Sequence, residues 1–340
     1  MLQVDNRTGL AARLFPWIDA SGVEHAIVVA KASYVLVRGA LRPTDEPAEL
    51  LLADEHHGPP ASSSVRRESD VAPGKPGTDV VVIGSARAPL RVPELLLQIE
   101  AGRARHAVRV VGDRVWVRGA VGYQPSEPVR FDTMPLVWER AFGGTDPAPD
   151  PGGPLFDRRN PLGVGFVSPR ARVEHLPLPN LEDPRAPLRA PGERPTPTAP
   201  GVVGRSWAPR AQLGGTFDDA WRQERAPLLP LDFDLRFFQC APAALVTPTH
   251  LEGGERLFVS HALAGGVPFE AAVPTLRLVA SVKLFGQRTQ HPLALDTVVI
   301  DTDAASVSLT LRALVRCPKA FLAIEHVRID HLGSTEGRAA

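Results

Sequence analysis

The sequence predicts a mainly β fold, a β-rich α+β protein of antiparallel sheets with a long Pro/Gly-rich irregular middle and few short helices. Three observations predict it. Short runs of β-branched and apolar residues recur between turn residues, as strands do. Few windows repeat apolar residues at the 3.6-residue spacing of an amphipathic helix. From Gly143 to Gly201, 22 of 59 residues are Gly or Pro, too many for regular elements in most of that stretch. With 44% hydrophobic and 22% charged residues, the 340-residue chain supports a folded core rather than disorder.

Taken in order, HAIVVAKASYVLV at 25–37 reads as a covered strand, with Lys31 the exception that must reach an edge or a partner. Residues 42–78, with Pro59-Pro60, three serines at 62–64 and Pro73-Gly74, read as a long loop or irregular edge structure. DVVVIG at 79–84 is a short buried strand ending at a glycine. Residues 106–111 and 114–121 flank Gly112-Asp113 and predict a hairpin there. Residues 92–101 and 218–224 are the candidates for short helices, the second capped by Thr216 or Asp218.

The irregular middle carries Phe142, Phe156, Phe166, Leu176 and Leu178 as anchors. Its last part, 184–200, has only Leu188 as a large apolar residue and reads as the most mobile portion. Strand signals resume at 256–260, 274–285, 295–300, 306–314 and 321–329. In 306–314, Val307, Leu309, Leu311 and Ala313 alternate with Ser308, Thr310 and Arg312, the pattern of a half-exposed antiparallel strand. The chain divides into an N-terminal β-rich region (1–142), a Pro/Gly-rich connector (143–213) and a C-terminal β-rich region (214–340), the two β regions being free to pack as one unit.

Several function classes are disfavoured. Lys plus Arg equals Asp plus Glu at 38 each, which argues against a globally basic nucleic-acid binder. Two cysteines, Cys240 and Cys317, make no disulfide framework and suit a reducing compartment. Asp5 and Arg7 precede any apolar run, and no apolar run nears 18 residues, so the expectation is a soluble cytoplasmic protein without membrane insertion. There is no G-x-S-x-G, H-E-x-x-H, P-loop or dinucleotide fingerprint, and no cofactor is expected. Gly163-Val164-Gly165 follows Pro161 and opens no helix pattern, unlike a phosphate loop. The pair His56-His57, and Glu325-His326 with Asp330, hold metal-ligating atoms, but adjacent residues on a strand point to opposite faces. Cys240 has no nearby base, the nearest His in sequence being His250, and reads as a buried thiol.

Two blocks stand out. MPLVWERAFGG at 134–144 offers Trp138 and Phe142 as apolar anchors, Glu139 and Arg140 as a pair or as partners of backbone groups, and Gly143-Gly144 as a tight exit. Asp218, Asp232 and Asp234 lie in an aromatic setting with Trp221. Two of these carboxylates about 5–9 Å apart in a cleft would suit glycoside hydrolysis. Equally, Asp in turns accepts backbone N–H bonds.

Those blocks carry a resemblance. KASY at 31–34, DVVVIGSA at 79–86 with Pro89 behind it, VRG at 117–119, the 134–144 block, NPLGVG at 160–165 and LPNLE at 178–182 come in order. They are followed by WAPR at 207–210, GTFD at 215–218 with Trp221, LPLDFD at 229–234, Ala241-Pro242, LEGGE at 251–255 and LDTV at 295–298. In order and extent this resembles the bacterial domain family of unknown function 2169, associated with type VI secretion. Tyr34 stands where Phe is common, and Gln239-Cys240 where Asn is common. The resemblance implies an adaptor or chaperone-like protein that binds a secreted effector, a PAAR-type tip or a VgrG-type spike protein for loading, and it brings no catalytic residues. Trp138, Glu139, Arg140, Phe142, Trp207, Trp221, Asp218, Asp232 and Asp234 are then the partner-binding or structural signature. A carboxylate hydrolase acting on glycan or peptide, and a structural part of the secretion particle, are the rival expectations.

Overall fold

The apolar run around Lys31 folds as the 14-residue strand Glu24–Val37, buried along most of its length. The computed structural model describes residues 4–46, 48–148, 152–169, 171–318 and 321–332. Glu24–Val37 lies inside a six-stranded sheet whose path runs Ala11–Ile18, Glu24–Val37, Ser306–Cys317, Ala294–Asp301 and Asp79–Ile83, with Ala40–Pro43 folding back on Glu24–Val37. All pairs are antiparallel except Ala294–Asp301 with Asp79–Ile83, which run parallel. Asp79–Ile83 is buried at every residue, as five consecutive apolar-rich positions covered on both faces require. One sheet therefore joins strands from both β-rich regions across the proline-rich middle.

Two further sheets complete the frame. Leu181–Glu182, Ala104–Val111, Glu94–Ala101, Arg256–Val259 and Phe269–Ala272 form a five-stranded sheet. Val4–Asn6, Ile324–His331, Leu278–Leu284 and Gln287–Pro292 form a four-stranded one. One hydrophobic core runs among all three and includes Val28, Val82, Leu97, Val108, Leu257, Leu278, Ile300 and Leu309. Strands make up 42% of the protein and helices 8%, so the class is mainly β.

Three expectations change. Residues 94–101 are a strand and not a helix, because Leu97, Ile99 and Ala101 face the core while Leu96, Gln98 and Glu100 alternate outward, a period of two. No hairpin forms at Gly112-Asp113. A two-residue hairpin turn there needs positive φ, which neither residue has, and a Cβ on Gly112 would sit 1.8 Å from the Val129 carbonyl oxygen. The turn is at Gly102-Arg103 instead, with Gly102 at φ 56°, joining Glu94–Ala101 to Ala104–Val111. The strand Ser306–Cys317 is not half-exposed: Thr310 and Arg312 on its polar face are as buried as Leu309 and Leu311 on the other.

Residues 42–78 cover that polar face. Lys31 Nζ reaches Asp70 Oδ2 at 2.8 Å, Thr310 Oγ1 donates to Asp70 Oδ1 at 3.0 Å, and the Leu51 N–H donates to Asp70 Oδ2 at 2.8 Å. Arg312 donates to the Asp70 carbonyl at 2.8 Å and pairs with buried Asp296. Nearby, Lys75 pairs with Asp79 at 2.7 Å, which also accepts the Cys240 N–H at 2.7 Å. Burial opposes the Lys75 charge, but Asp79 against it holds the ammonium above its ordinary pKa. At the sheet's end, Arg66 and Arg67 both reach Asp301 Oδ2 at 2.9 Å.

The irregular middle forms a second small core with Trp116 and Phe142 of the N-terminal region, contributing Val167, Val173, Leu178 and Leu188. Phe166 and Leu176 pack on it, whereas Phe156 is exposed. Residues 184–200 are held at both ends of their length, by Leu188 in that core and by the Pro200 carbonyl accepting the Val82 N–H at 3.0 Å.

Removing one partner from a buried ion pair leaves a charge without compensation and costs about 3–5 kcal/mol. Asp70→Asn is therefore expected to lower the unfolding free energy by about that much in urea titrations. A loss below about 1 kcal/mol, the size of a surface pair, would show that the network carries no such weight.

Candidate functional site

The 134–144 block is built as an interlock. Phe131–Pro135 pairs with Ser85–Val92, Trp138–Arg140 makes a single 3-10 turn, and Phe142–Gly143 pairs in parallel with Val164–Gly165. The backbones approach too closely for side chains. A Cβ on Gly143 would lie 2.1 Å from the Asn160 carbonyl oxygen, and one on Gly144 2.1 Å from that of Gly163. Asn160 seals the junction, its Nδ2 donating to the Trp138 carbonyl at 2.8 Å and the Phe142 carbonyl at 3.0 Å. The NPLGVG segment is thus the counterpart of the AFGG segment. Gly163-Val164-Gly165 lies against other backbone and offers no loop for a phosphate.

The remaining side chains of the block are engaged in the same way. Glu139 accepts from the Ser64 N–H at 2.6 Å and from Ser64 Oγ at 2.8 Å, fastening the 42–78 loop. Arg140 donates to Asn180 Oδ1 at 2.9 Å and to Asp113 Oδ1 at 3.3 Å. Trp138 meets Trp207 edge to face, centroids 5.5 Å apart, and both are buried, as is Phe142. Of the nine signature residues, Trp138, Phe142 and Trp207 are therefore core, and Glu139 and Arg140 hold loops. Asn160 and Asn180 do as much as the aromatic residues, and the only sequence signal for them was their place in NPLGVG and LPNLE.

The other four signature residues lie together in residues 214–238. Asp218 caps the helix Asp219–Glu224 by accepting the Trp221 N–H at 2.8 Å. Asp232 accepts from the Thr216 N–H at 3.0 Å and Thr216 Oγ1 at 2.7 Å. Asp234 accepts from the Arg236 N–H at 2.8 Å and pairs with its guanidinium at 2.5 Å. Those bonds hold the carboxyls of Asp232 and Asp234 below the usual carboxylate range. The carboxylates serve three separate turns, and no two of them face one another across a shared hydrogen bond.

Around these turns, large apolar side chains are exposed among charged ones. The helix Asp219–Glu224 buries none of its residues. Phe217 is 54% exposed and stacks edge to face on Trp221 at 4.7 Å, and Leu231 is 76% exposed. The Thr216–Asp232 clip brings the neighbouring residues Phe217 and Leu231 to one place. Leu235 is exposed as well, and Phe233, Phe237 and Phe238 form a ring cluster behind it. Trp221 Nε1 donates to the Leu228 carbonyl at 2.8 Å, and Arg225 binds the Ala20 carbonyl, tying this lobe to the turn between Ala11–Ile18 and Glu24–Val37.

Elsewhere the candidate chemistry is dispersed. Cys240 is buried, and burial pushes its thiol pKa up, away from nucleophilic use. Glu325 pairs with Lys283 at 2.6 Å and Asp330 with Arg328 at 2.7 Å, and among the described residues the carboxylate nearest His326 is that of Asp5 at 4.0 Å. Among the described residues, no group of three or more His, Cys, Asp or Glu is placed to hold a metal ion. Nor is any helix among them long and apolar enough to cross a membrane. The pKa of His106, on the strand Ala104–Val111, is lowered by burial, with Asp183 pulling the other way and Arg185 adding to the lowering, and its Nε2 has no hydrogen-bond partner among the described residues.

The model of a family described as an uncharacterised protein conserved in bacteria, DUF2169, matches residues 21–312. No curated protein and no solved structure matches the chain.

Two predictions follow the geometry. Gly144 and Gly122 both have positive φ, 87° and 79°, but a Cβ on Gly122 meets nothing within 4 Å. Gly122→Ala should cost about 1–2 kcal/mol from backbone strain alone. Gly144→Ala should cost clearly more, and equal losses in paired denaturation curves would remove the interlock argument. For His106, the folded pKa lies below the ordinary 6.5, so the unfolded chain takes up the proton first as pH falls. Its contribution to stability is complete above about pH 6.5 and is lost as pH drops through the folded value. His106→Gln should flatten the decline in Tm between pH 7 and pH 5; an unchanged slope would assign the decline to other groups.

Proposed function

Since the chain belongs to DUF2169, a family of uncharacterised proteins conserved in bacteria, we propose that it is an adaptor, chaperone-like in action, that binds a type VI secretion effector or a PAAR/VgrG spike component for loading. The observation that supports this reading is the lobe of residues 214–238, where the apolar side chains of Phe217, Leu231 and Leu235 stand in solvent on turns that hydrogen bonds hold in place. Exposed aromatic and aliphatic residues on a pre-ordered scaffold are what a protein partner covers, because their burial gains apolar area with little ordering to offset it. In the loading reaction the lobe shields a matching apolar surface of the cargo in the cytoplasm and releases it as the spike assembles. The type VI association rests on the resemblance of the sequence blocks, and the lobe supplies the physical means.

The hydrolase reading finds less support. A pair of catalytic carboxylates needs one group free to transfer a proton and the other free to attack or to activate water. Asp218, Asp232 and Asp234 each accept a backbone N–H at a turn instead.

Co-expression of the tagged chain with the effector and spike genes beside its own, read by size-exclusion chromatography with light scattering, tests the proposal. A complex of defined stoichiometry is expected, weakened at least tenfold by Phe217→Ser with Leu231→Ser while the Tm stays within a few degrees. A chain that elutes alone at 36.5 kDa with every candidate rejects the adaptor. Its stoichiometric presence in purified spikes would mean a structural component.

A further inference from the structure

The strand Ala104–Val111 has eight residues, yet on the side away from Glu94–Ala101 only its C-terminal end is engaged among the described residues, Arg109 pairing with Glu182 and Val110 with Leu181. The hydrogen-bond phase says which backbone groups the rest present there. Gly102 N–H donates to the Arg256 carbonyl at 3.0 Å and Ser260 N–H to the Gln98 carbonyl at 2.9 Å, so even-numbered residues of that strand bond toward Arg256–Val259. Its odd-numbered residues bond toward Ala104–Val111, where Ala101 faces Ala104 and Ile99 faces His106. The odd-numbered residues of Ala104–Val111 therefore point outward. Arg109 opposite Glu182, and the Val111 N–H donating to the Asn180 carbonyl at 2.8 Å, agree. The next two, Arg105 and Ala107, have no backbone partner on that side among the described residues.

The chain's own strand stops for a readable reason. Continuing the register past Arg109↔Glu182 puts residue 184 opposite Ala107, in a position that must donate an N–H. Residue 184 is proline, which has none. Asp183 then turns the chain away, accepting the Arg185 N–H at 2.9 Å with its side chain and the Ala186 N–H at 3.0 Å with its carbonyl. What remains is a groove of about 500 Å³ between the open edge and the departing loop, walled by Gln98, Glu100, Arg105, His106, Asp183 and Arg185. Glu100 is engaged by Arg105 at 3.3 Å and Arg256 at 3.0 Å, and Asp183 by Arg185 at 3.0 Å. The charges that line the groove balance, and Arg103, exposed at the turn where the edge begins and with no ion pair among the described residues, adds an unpaired positive charge beside it.

We propose that this edge is a strand-addition site that takes an extended, proline-free, acidic segment of a protein partner, running antiparallel to Ala104–Val111 in line with Leu181–Glu182. Four backbone bonds to Arg105 and Ala107 provide the affinity, and side chains opposite those residues point outward beside Arg105 and Gln98, where a carboxylate meets the arginines. The site deepens the adaptor reading and rests on it for the identity of the partner.

The test uses the full chain and a fluorescein-labelled heptapeptide of alternating valine and glutamate, followed by fluorescence anisotropy. Saturable binding is expected, weakened at least tenfold by Ala107→Pro, which removes an outward N–H and leaves the bonds to Glu94–Ala101 intact. Amide exchange on the unaltered chain provides a second readout that does not depend on the variant folding: the Arg105 and Ala107 amides should slow when the peptide is added. No saturable binding, or binding that leaves both amides unchanged, overturns the site. An effector complex without protection of these amides overturns the edge and keeps the adaptor. Peptide binding at the edge by a chain that captures no effector or spike component keeps the edge and rejects the adaptor.

Discussion

The charge pairs buried between the six-stranded sheet and residues 42–78 are the constraint on which the rest of the protein depends. A lysine in the middle of a covered strand is tolerable only if a carboxylate meets it, and Asp70 does so while also accepting from Thr310 and Leu51. The same loop carries Arg66 and Arg67 to Asp301, and Glu68 to Arg205 at 2.8 Å and Arg210 at 2.6 Å. A segment with only short strands of its own is thereby fixed to the sheet and to the 205–210 turn. Low dielectric strengthens each of these bonds and makes each missing partner costly, so the loop has little choice of position.

Close backbone packing is the second constraint. Gly143, Gly144 and Gly163 exist as glycines because another carbonyl or side chain occupies the space a Cβ would need, and Asn160 supplies the donors that the irregular chain lacks. The most distinctive blocks of the sequence are in this way spent on the fold. The groups that the fold leaves unused lie elsewhere, at exposed Phe217, Leu231 and Leu235 and along the edge that Pro184 keeps open.

The mainly β class, the covered strands at 25–37 and 79–84, the short helix with Thr216 or Asp218 as its cap and the need of Lys31 for a partner were all legible in the sequence, because each follows from local pattern or from a cost that burial imposes. Residues 94–101 misled: ELLLQIEA satisfies either period until Leu97 and Ile99 are seen to share a face. The polar face of 306–317 misled for another reason, since alternation reports which residues differ in polarity and not whether a charged loop covers the polar side.

By itself the sequence determined the strand content, the buried character of Cys240 and the turns that Gly, Pro and Asp impose, since these depend on dihedral preference and desolvation within a few residues. Only the tertiary structure decided which carboxylate meets which cation, that Trp138 and Trp207 face each other rather than a partner, that Phe217 and Leu231 share one exposed surface, and that one edge of a sheet stays unpaired. Most of these join groups far apart in sequence, as Thr310 and Asp70 are, and no local spacing encodes which distant surface arrives.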